Sequence, residues 1–279
     1  MRIQAIDGSE LNVISDNADY KLLFTFDERI EGHPLQGFDI FNGIAFQTYD
    51  GGYCSTFKLE TGEKIADFRF GSFYSHNHCG NANFGLEYPE GNTTFPALYV
   101  SGDLTTKACY VENVTESSSE LIQTIYFDVE PGDYTGGQVI LDRDRKRIVY
   151  MQRKNRKIGD LDNIFKMWEF PIPALSAGRE VHFTNADMLC EPYELPYYSP
   201  YYQGAMILGR QILQTHGYAE NSFGSQVGIM VFDTLNHTFD RHVDLTGKID
   251  FEPQGAAVHE GRLIMNFANG GMYEIMVEK

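Results

Sequence analysis

His76 and His78 stand on either side of Asn77 in Ser75-His76-Asn77-His78-Cys79. On an extended chain alternate side chains share a face, so a His-x-His triplet turns both imidazoles the same way and makes half of a transition-metal site. His33 lies three residues before Gln36-Gly37, much as the pair lies just before Cys79-Gly80. Together His33, His76 and His78 would hold Zn²⁺ or Ni²⁺ with one position open for a ligand, and any metal is expected to involve His78. Hydrogen-bonded loop histidines are the alternative, because a closed site needs four ligands and no second pair is present. A second group is aromatic: Tyr193-Glu194-Leu195-Pro196-Tyr197-Tyr198-Ser199-Pro200-Tyr201-Tyr202 runs directly into Gln203-Gly204. Pro196 and Pro200 disfavour regular structure there, which predicts a loop carrying some of these tyrosines, with Tyr197, Tyr198 and Tyr201 as candidate ligand contacts. Tyrosine joins an apolar face to a hydroxyl, which suits stacking on sugar rings as well as packing. Seven carboxylates, Asp39, Asp50, Glu87, Asp103, Asp133, Glu191 and Glu252, are available for paired acid–base work on a glycoside, and the sequence selects no pair.

The elements that must position these residues follow from an internal repeat. Gln36-Gly37, Gln203-Gly204 and Gln254-Gly255 each open an apolar strand, a turn and a second strand. In the first copy Phe38-Asp39-Ile40-Phe41 passes through Asn42-Gly43, a strong hairpin signal, into Ile44-Ala45-Phe46-Gln47-Thr48-Tyr49. The copy at Gln203 repeats the Gln-Thr pair as Gln214-Thr215. Weaker copies begin at Gly80-Asn81 and at Gly136-Gly137-Gln138. Third and fourth strands follow, such as residues 56–59 with 65–70, or 108–114 with 121–127. The starts are roughly 40 to 70 residues apart, a spacing that suits propeller blades. The last unit has only three strands, while residues 20–26 form an unassigned strand of the same Phe-rich type. The expected fold is therefore all-β: a five-bladed β-propeller of four-stranded meanders, in one domain over residues 1–279, closed by the N-terminal strand completing the last blade. No segment sustains a helical apolar period over three turns.

In such a ring the first strand of each blade lines a central channel. Glycine after each glutamine lets crowded inner strands approach. Gln36, Gln138, Gln203 and Gln254 then either bond to neighbouring backbone or form a polar ring round a ligand, with Asp39 and Asn81 as further candidates at the same level. Catalytic signatures are absent: there is no G-x-S-x-G, no phosphate-binding G-x-x-x-x-G-K-[ST], no H-E-x-x-H and no EF-hand run. No cofactor is indicated. The net charge is 22 − 39 = −17, and Lys and Arg gather only over residues 143–157, so nucleic acid is not an expected partner. With 42% hydrophobic and 14% aromatic residues the chain is not disordered. No apolar run is long enough for a membrane span and no signal peptide is visible, which leaves localisation open. Cys54, Cys79, Cys109 and Cys190 are scattered, with no C-x-x-C pair, and read as free thiols.

The Gln-Gly starts, the strand Phe95-Pro96-Ala97-Leu98-Tyr99-Val100-Ser101 and the five meanders closed by an N-terminal strand resemble the five-bladed propellers of phage receptor-binding proteins and teichoic-acid biosynthesis protein C. That resemblance implies a role linked to surface glycans through a binding propeller, and it carries no catalytic residues over. The leading expectation is binding of a carbohydrate or similar small polar ligand at the channel mouth. The alternatives are a glycoside or phosphate-ester hydrolase, metal-assisted or not, in the same channel, and a scaffold that docks a protein partner.

Overall fold

The computed structural model describes residues 2–4, 10–12, 19–73, 78–102, 107–129, 134–154, 163–197, 202–217, 227–249 and 251–276. Strands β1 (Arg2–Gln4) and β2 (Glu10–Asn12) form a two-stranded sheet, and β3 (Asp19–Thr25) leads into the repeats. Blade 1 contains β4 (Arg29–Ile30), β5 (His33–Phe41), β6 (Ile44–Tyr49), β7 (Tyr53–Lys58) and β8 (Lys64–Arg69). Blade 2 is β9 (Ala82–Phe84), β10 (Leu98–Ser101), β11 (Ala108–Val114) and β12 (Ser119–Phe127). Blade 3 begins with β13 (Tyr134–Asp142), β14 (Arg147–Lys154) and β15 (Asn163–Pro171). The chain then leaves to add β16 (Glu180–Phe183), parallel, to the outer edge of blade 2, and returns with β17 (Tyr193–Tyr197) to complete blade 3. Blade 4 is β18 (Tyr202–Leu208), β19 (Gln211–His216), β20 (Gly228–Asp233) and β21 (Thr238–Asp244). Blade 5 is β22 (Pro253–His259), β23 (Arg262–Phe267) and β24 (Gly271–Met276), with β3 as its outer strand. The five-bladed, all-β propeller expected from the repeat is the fold, and its ring closes through the N-terminal strand as expected. The helical content of the described residues is two short 3₁₀ turns, Leu175–Ala177 and Asn185–Asp187.

The first half of the tyrosine run departs from expectation, while residues 198–201 lie outside the described residues. Residues Tyr193–Tyr197, expected in part as a loop, form the outer strand of blade 3, with Pro196 opposite Ile164. An edge strand leaves alternate N–H groups unpaired, so a residue without one is accommodated there.

Burial explains why these strands read as nearly continuous apolar runs. A blade is covered on both faces, so successive side chains enter different interfaces. On β14, Ile148 and Tyr150 pack with Val111, Ile125 and Phe127 of blade 2, while Val149 and Met151 pack with Ile212, Met230 and Phe232 of blade 4. The same alternation fills the gaps between blades 4 and 5 (Leu213 and Val231 with Leu263 and Phe267), blades 1 and 2 (Phe46 and Phe70 with Phe84 and Leu98), and blades 5 and 1 (Ile264 and Met272 with Phe38 and Ala45). Cys54, Cys79 and Cys109 are buried in these layers as free thiols, and burial pushes each thiol above its usual range.

At the axis the innermost strands pack in sequence, β5 on β9, β9 on β13, β13 on β18, β18 on β22 and β22 on β5. Four of them are bulged where the glutamine and glycine residues stand: between Leu35 and Phe38, Thr135 and Gln138, Tyr202 and Ala205, and Pro253 and Gly255. A bulge leaves backbone carbonyls out of the ladder. The Gln-Thr repeat is what satisfies them. Gln47 Nε2 donates to Gln36 O at 3.0 Å and Gly37 O at 3.1 Å, and Thr48 Oγ1 donates to Gly37 O at 2.8 Å. Gln214 Nε2 donates to Gln203 O at 2.5 Å and Gly204 O at 3.1 Å, and Thr215 Oγ1 donates to Gly204 O at 2.8 Å. In blade 5, Asn266 Nδ2 instead reaches across to Gln36 O of blade 1 at 2.8 Å.

Asn81 closes the centre. Its Nδ2 donates to Val139 O of blade 3 at 2.7 Å, and its Oδ1 accepts the Ala205 N–H of blade 4 at 3.1 Å. A Cβ on Gly37 of blade 1 would stand 2.8 Å from the Asn81 Cα, and one on Gly204 would stand 2.5 Å from Gln254 O. The glycines are thus required by the approach of the inner strands, as the repeat suggested. Asn81→Ala orphans two buried backbone groups, so it is expected to cost about 3 kcal/mol in urea unfolding. Gly204→Ala pushes on backbone and is expected to cost about 2 kcal/mol. Midpoint shifts at unchanged m-value in both variants check this account of the axis.

Candidate functional site

A cavity of about 160 Å³ opens where the inner strands begin. It is lined by residues entering β9 (His78, Gly80), β13 (Gly137, Gln138) and β18 (Tyr202, Gln203), and by residues at the ends of the second strands (Ser101, Gly102 and Arg153). Blades 2, 3 and 4 therefore each present one bulge or strand end to a common space.

Hydrogen bonds run round this mouth from blade to blade. Gln138 Nε2 donates to Gln203 O at 2.7 Å, which links blade 3 to blade 4. Gln203 Nε2 in turn donates to Glu252 Oε1 of blade 5, and Gln254 also bonds to that carboxylate. Gln138 Oε1 is buried without a hydrogen-bond donor among the described residues. Burial drives the Glu252 carboxyl up to about 7, against the opposing pull of the Gln254 and Gln203 amides and of nearby His78. Such a carboxyl exchanges its proton near neutral pH, the range in which a general acid or base works.

His78 Nδ1 lies 3.1 Å from Asp50 Oδ1, and its ring extends over Gly80 on the cavity wall. The carboxylate thereby fixes the ring orientation. Arg153 places its guanidinium 5.4 Å from the centre of the Tyr202 ring, itself packed edge-on against Phe165. Burial raises the Tyr202 hydroxyl above its ordinary range, with Arg153 acting in the opposite sense.

The predicted residues separate into groups. Gln138, Gln203, Gln254 and His78 meet at or beside the cavity. The Gln36 carbonyl is held by Gln47 and Asn266. Asn81 bridges blades at the axis, as described above. Asp39 is buried, accepts the N–H groups of Ile40 at 2.8 Å and Phe84 at 2.7 Å, and lies 3.9 Å from Arg143 Nη1. Burial raises its carboxyl, partly offset by Arg143. The His33 ring lies 5.0 Å from the Tyr53 ring, whose hydroxyl donates to Glu31 at 2.6 Å. Among the described residues no group of three or more His, Cys, Asp and Glu side chains is arranged to hold a metal. His76, Tyr198 and Tyr201 lie outside the described residues, and for Tyr197 only the backbone belongs to them. Of the seven carboxylates, Asp50 and Glu252 are at the mouth, whereas Glu87 accepts the Leu175 N–H at 2.9 Å, Glu191 is exposed, and Asp103 and Asp133 lie outside the described residues.

Sequence reasoning missed Arg153, Ser101 and Tyr202 as cavity residues, having chosen Tyr197, Tyr198 and Tyr201 from the tyrosine run. Arg153 belongs to the basic run over residues 143–157, the single cluster of cations in an acidic chain, and that was the available signal. Ser101 carried none.

Ionising Glu252 is harder in the folded than in the unfolded chain. Its contribution to stability is therefore intact below about pH 4.5 and is lost as the pH rises to about 7. Relative to Glu252→Gln, the wild type is expected to lose on the order of 2 kcal/mol between pH 4.5 and 8, read from paired denaturant titrations. Parallel curves for the two proteins would contradict this environment for the carboxyl.

No helix among the described residues is long and apolar enough to cross a membrane. No family model matches the sequence, and no curated protein matches it. Among solved structures the chain is similar to glutaminyl cyclase from Myxococcus xanthus, at 13% identity and TM-score 0.54, over 94% of this chain and 97% of that one. Two others are a catalytically inactive virginiamycin B lyase from Staphylococcus aureus with quinupristin (10% identity, TM-score 0.46, 93% and 100% covered) and the WD40 β-propeller domain of Doa1 (9%, 0.43, 87% and 63%). The first of these likenesses shows that this chain has the five-bladed propeller fold.

Proposed function

We propose that this propeller binds a carbohydrate or similarly hydroxylated polar ligand in the cavity at the channel mouth. One observation carries the reading: Ser101, Gln138, Arg153, Tyr202, Gln203 and His78, from three blades, line a single space of about 160 Å³. A few convergent polar groups beside an aromatic ring are what a small-ligand pocket requires. The resemblance to phage receptor-binding and teichoic-acid propellers supports a glycan as the ligand class. A glycan array is expected to give hits with wild type that fall about fivefold for Tyr202→Ala, the loss of roughly 1 kcal/mol of ring contact. A Tyr197→Ala/Tyr198→Ala double variant tests the preceding segment in the same assay. An array without hits, or with hits indifferent to Tyr202, would remove the cavity as a glycan site.

A second reading is favoured by one feature, the Glu252 carboxyl poised near neutrality with His78 nearby, whose ring is held by Asp50. It is acid–base hydrolysis of a glycoside or phosphate ester in the same space. Nitrophenyl glycosides and nitrophenyl phosphate, with and without divalent cations, separate the two. Turnover that vanishes in Glu252→Gln establishes the hydrolase. Ligand binding with no turnover leaves a binding module.

A further inference from the structure

We propose that His216 and His242 form an acid-sensitive latch across blade 4, one that holds the mouth end of the outer strand β21 and releases it on protonation. Three strands meet in one row there, with His216 of β19 opposite Gly228 of β20 and Gly228 opposite Asp244 of β21. On its other side His216 pairs with Tyr202, a cavity residue, which puts the row at the mouth. His242 stands two residues before Asp244 on β21 and so on the same face of the sheet. Its ring reaches over the central strand: a Cβ on Gly228 would lie 2.8 Å from His242 Nε2. A glycine inside a strand marks such a close approach. His242 Nε2 thereby comes within 2.7 Å of His216 Nε2, with the ring centres 4.7 Å apart. The two imidazoles join β19 to β21, strands that share no ladder, past the strand between them.

An N–H···N bond needs one ring nitrogen that carries a proton and one that does not. Two imidazolium rings would set N–H against N–H, so the contact exists only while at least one ring is neutral. His216 is the ring kept neutral. It is buried, and its Nδ1 has no hydrogen-bond partner among the described residues. The charged groups that reach it among those residues are His242 and Asp244, both from β21, while β20 offers Gly228 and β18 places Tyr202 opposite. Burial and then the neighbouring His242 push the His216 ring down to about 3, against the pull of the Asp244 carboxylate. With β21 lifted away the ring is wetted and regains the ordinary histidine value of about 6.5. The open form therefore binds a proton below about pH 6.5 that the closed form refuses until about pH 3. Closure is strongest above that range, and each unit of pH below 6.5 favours opening by about tenfold. Of the β21 side chains only Val243 is fully buried, so few apolar contacts oppose a local release.

Amide hydrogen exchange on the full chain, corrected for intrinsic rates, tests the latch. Between pH 7 and pH 5 protection in β20 and β21 is expected to fall about twentyfold in wild type, while β11 and β14 of blades 2 and 3 change by less than about threefold. His216→Gln should remove most of that difference. His242→Gln should keep the part that burial of His216 causes, since the buried ring remains. Nitrogen-15 spectra of histidine-labelled wild type need no variant, and there His216 should stay neutral at pH 5. A His216 ring that titrates near 6.5, protection that falls equally in all blades, or a fall unchanged by His216→Gln would each overturn the proposal. Tight uptake of one equivalent of Zn²⁺ that is lost in His216→Gln would also overturn it, because the converging nitrogens would then be metal ligands instead of a proton-sharing pair.

Discussion

The carboxamide of Asn81 is the constraint on which the molecule's geometry turns. A five-fold ring of strands leaves a narrow axis, and an axis lined by backbone at bulges contains polar groups that water reaches poorly. One amide has both a donor and an acceptor end, so it satisfies a carbonyl of blade 3 and an N–H of blade 4 from a position in blade 2. The glycines of blades 1 and 4 exist so that backbone can come close enough to this group for the ring to shut. Hydrophobic burial between blades supplies most of the stabilisation, but it is tolerant of small shifts, whereas the axial hydrogen bonds fix how far each blade stands from the centre.

That closure also decides where a ligand space exists. Asn81 bridges the blades at the axis, and the cavity described above lies among the bulges at the inner strand starts of blades 3 and 4. A bulge turns side chains out of the regular alternation, so glutamines that a straight strand would bury in an interface reach round the mouth instead. Glu252 sits at the end of this chain of amides, removed from water, and that burial outweighs the opposing pull of the Gln254 and Gln203 amides and of His78, which is why its proton is held so late. The site's electrostatics are thus a by-product of how the ring is assembled.

Much of the architecture was legible from local patterns. Asn42-Gly43 marks a hairpin because few other residues enter its left-handed turn, and the spacing of Gln-Gly pairs marks the blades because at Gly37 and Gly204 a Cβ would run into the backbone of a neighbouring inner strand. The Gln-Thr pair was visible as a repeat, yet its purpose was not, since the carbonyls it satisfies belong to a bulge that exists only after the strands pair. Pro196 misled because the rule against proline in sheets depends on whether a strand is central or outermost, a tertiary fact. The parallel addition of β16 to a neighbouring blade left no periodic trace. The cavity residues were half legible. Glutamines announced themselves by repetition, while Arg153 and Ser101 come from strand ends that converge through ring closure alone.

The pairing of β3 with β24 joins segments about 250 residues apart, Asp19–Thr25 with Gly271–Met276. During synthesis four blades can form as they emerge, each from neighbouring sequence, while the early strand waits for its partner. Contacts of such wide sequence separation form late and slowly. Until then Leu23, Phe24 and Phe26, which pack against the layer between blades 5 and 1, remain uncovered, and the open ring presents two unpaired blade faces. Assembly of this propeller is therefore vectorial with a final latching step, and the interval before latching is when exchange of the N-terminal strand between two nascent chains competes with closure within one.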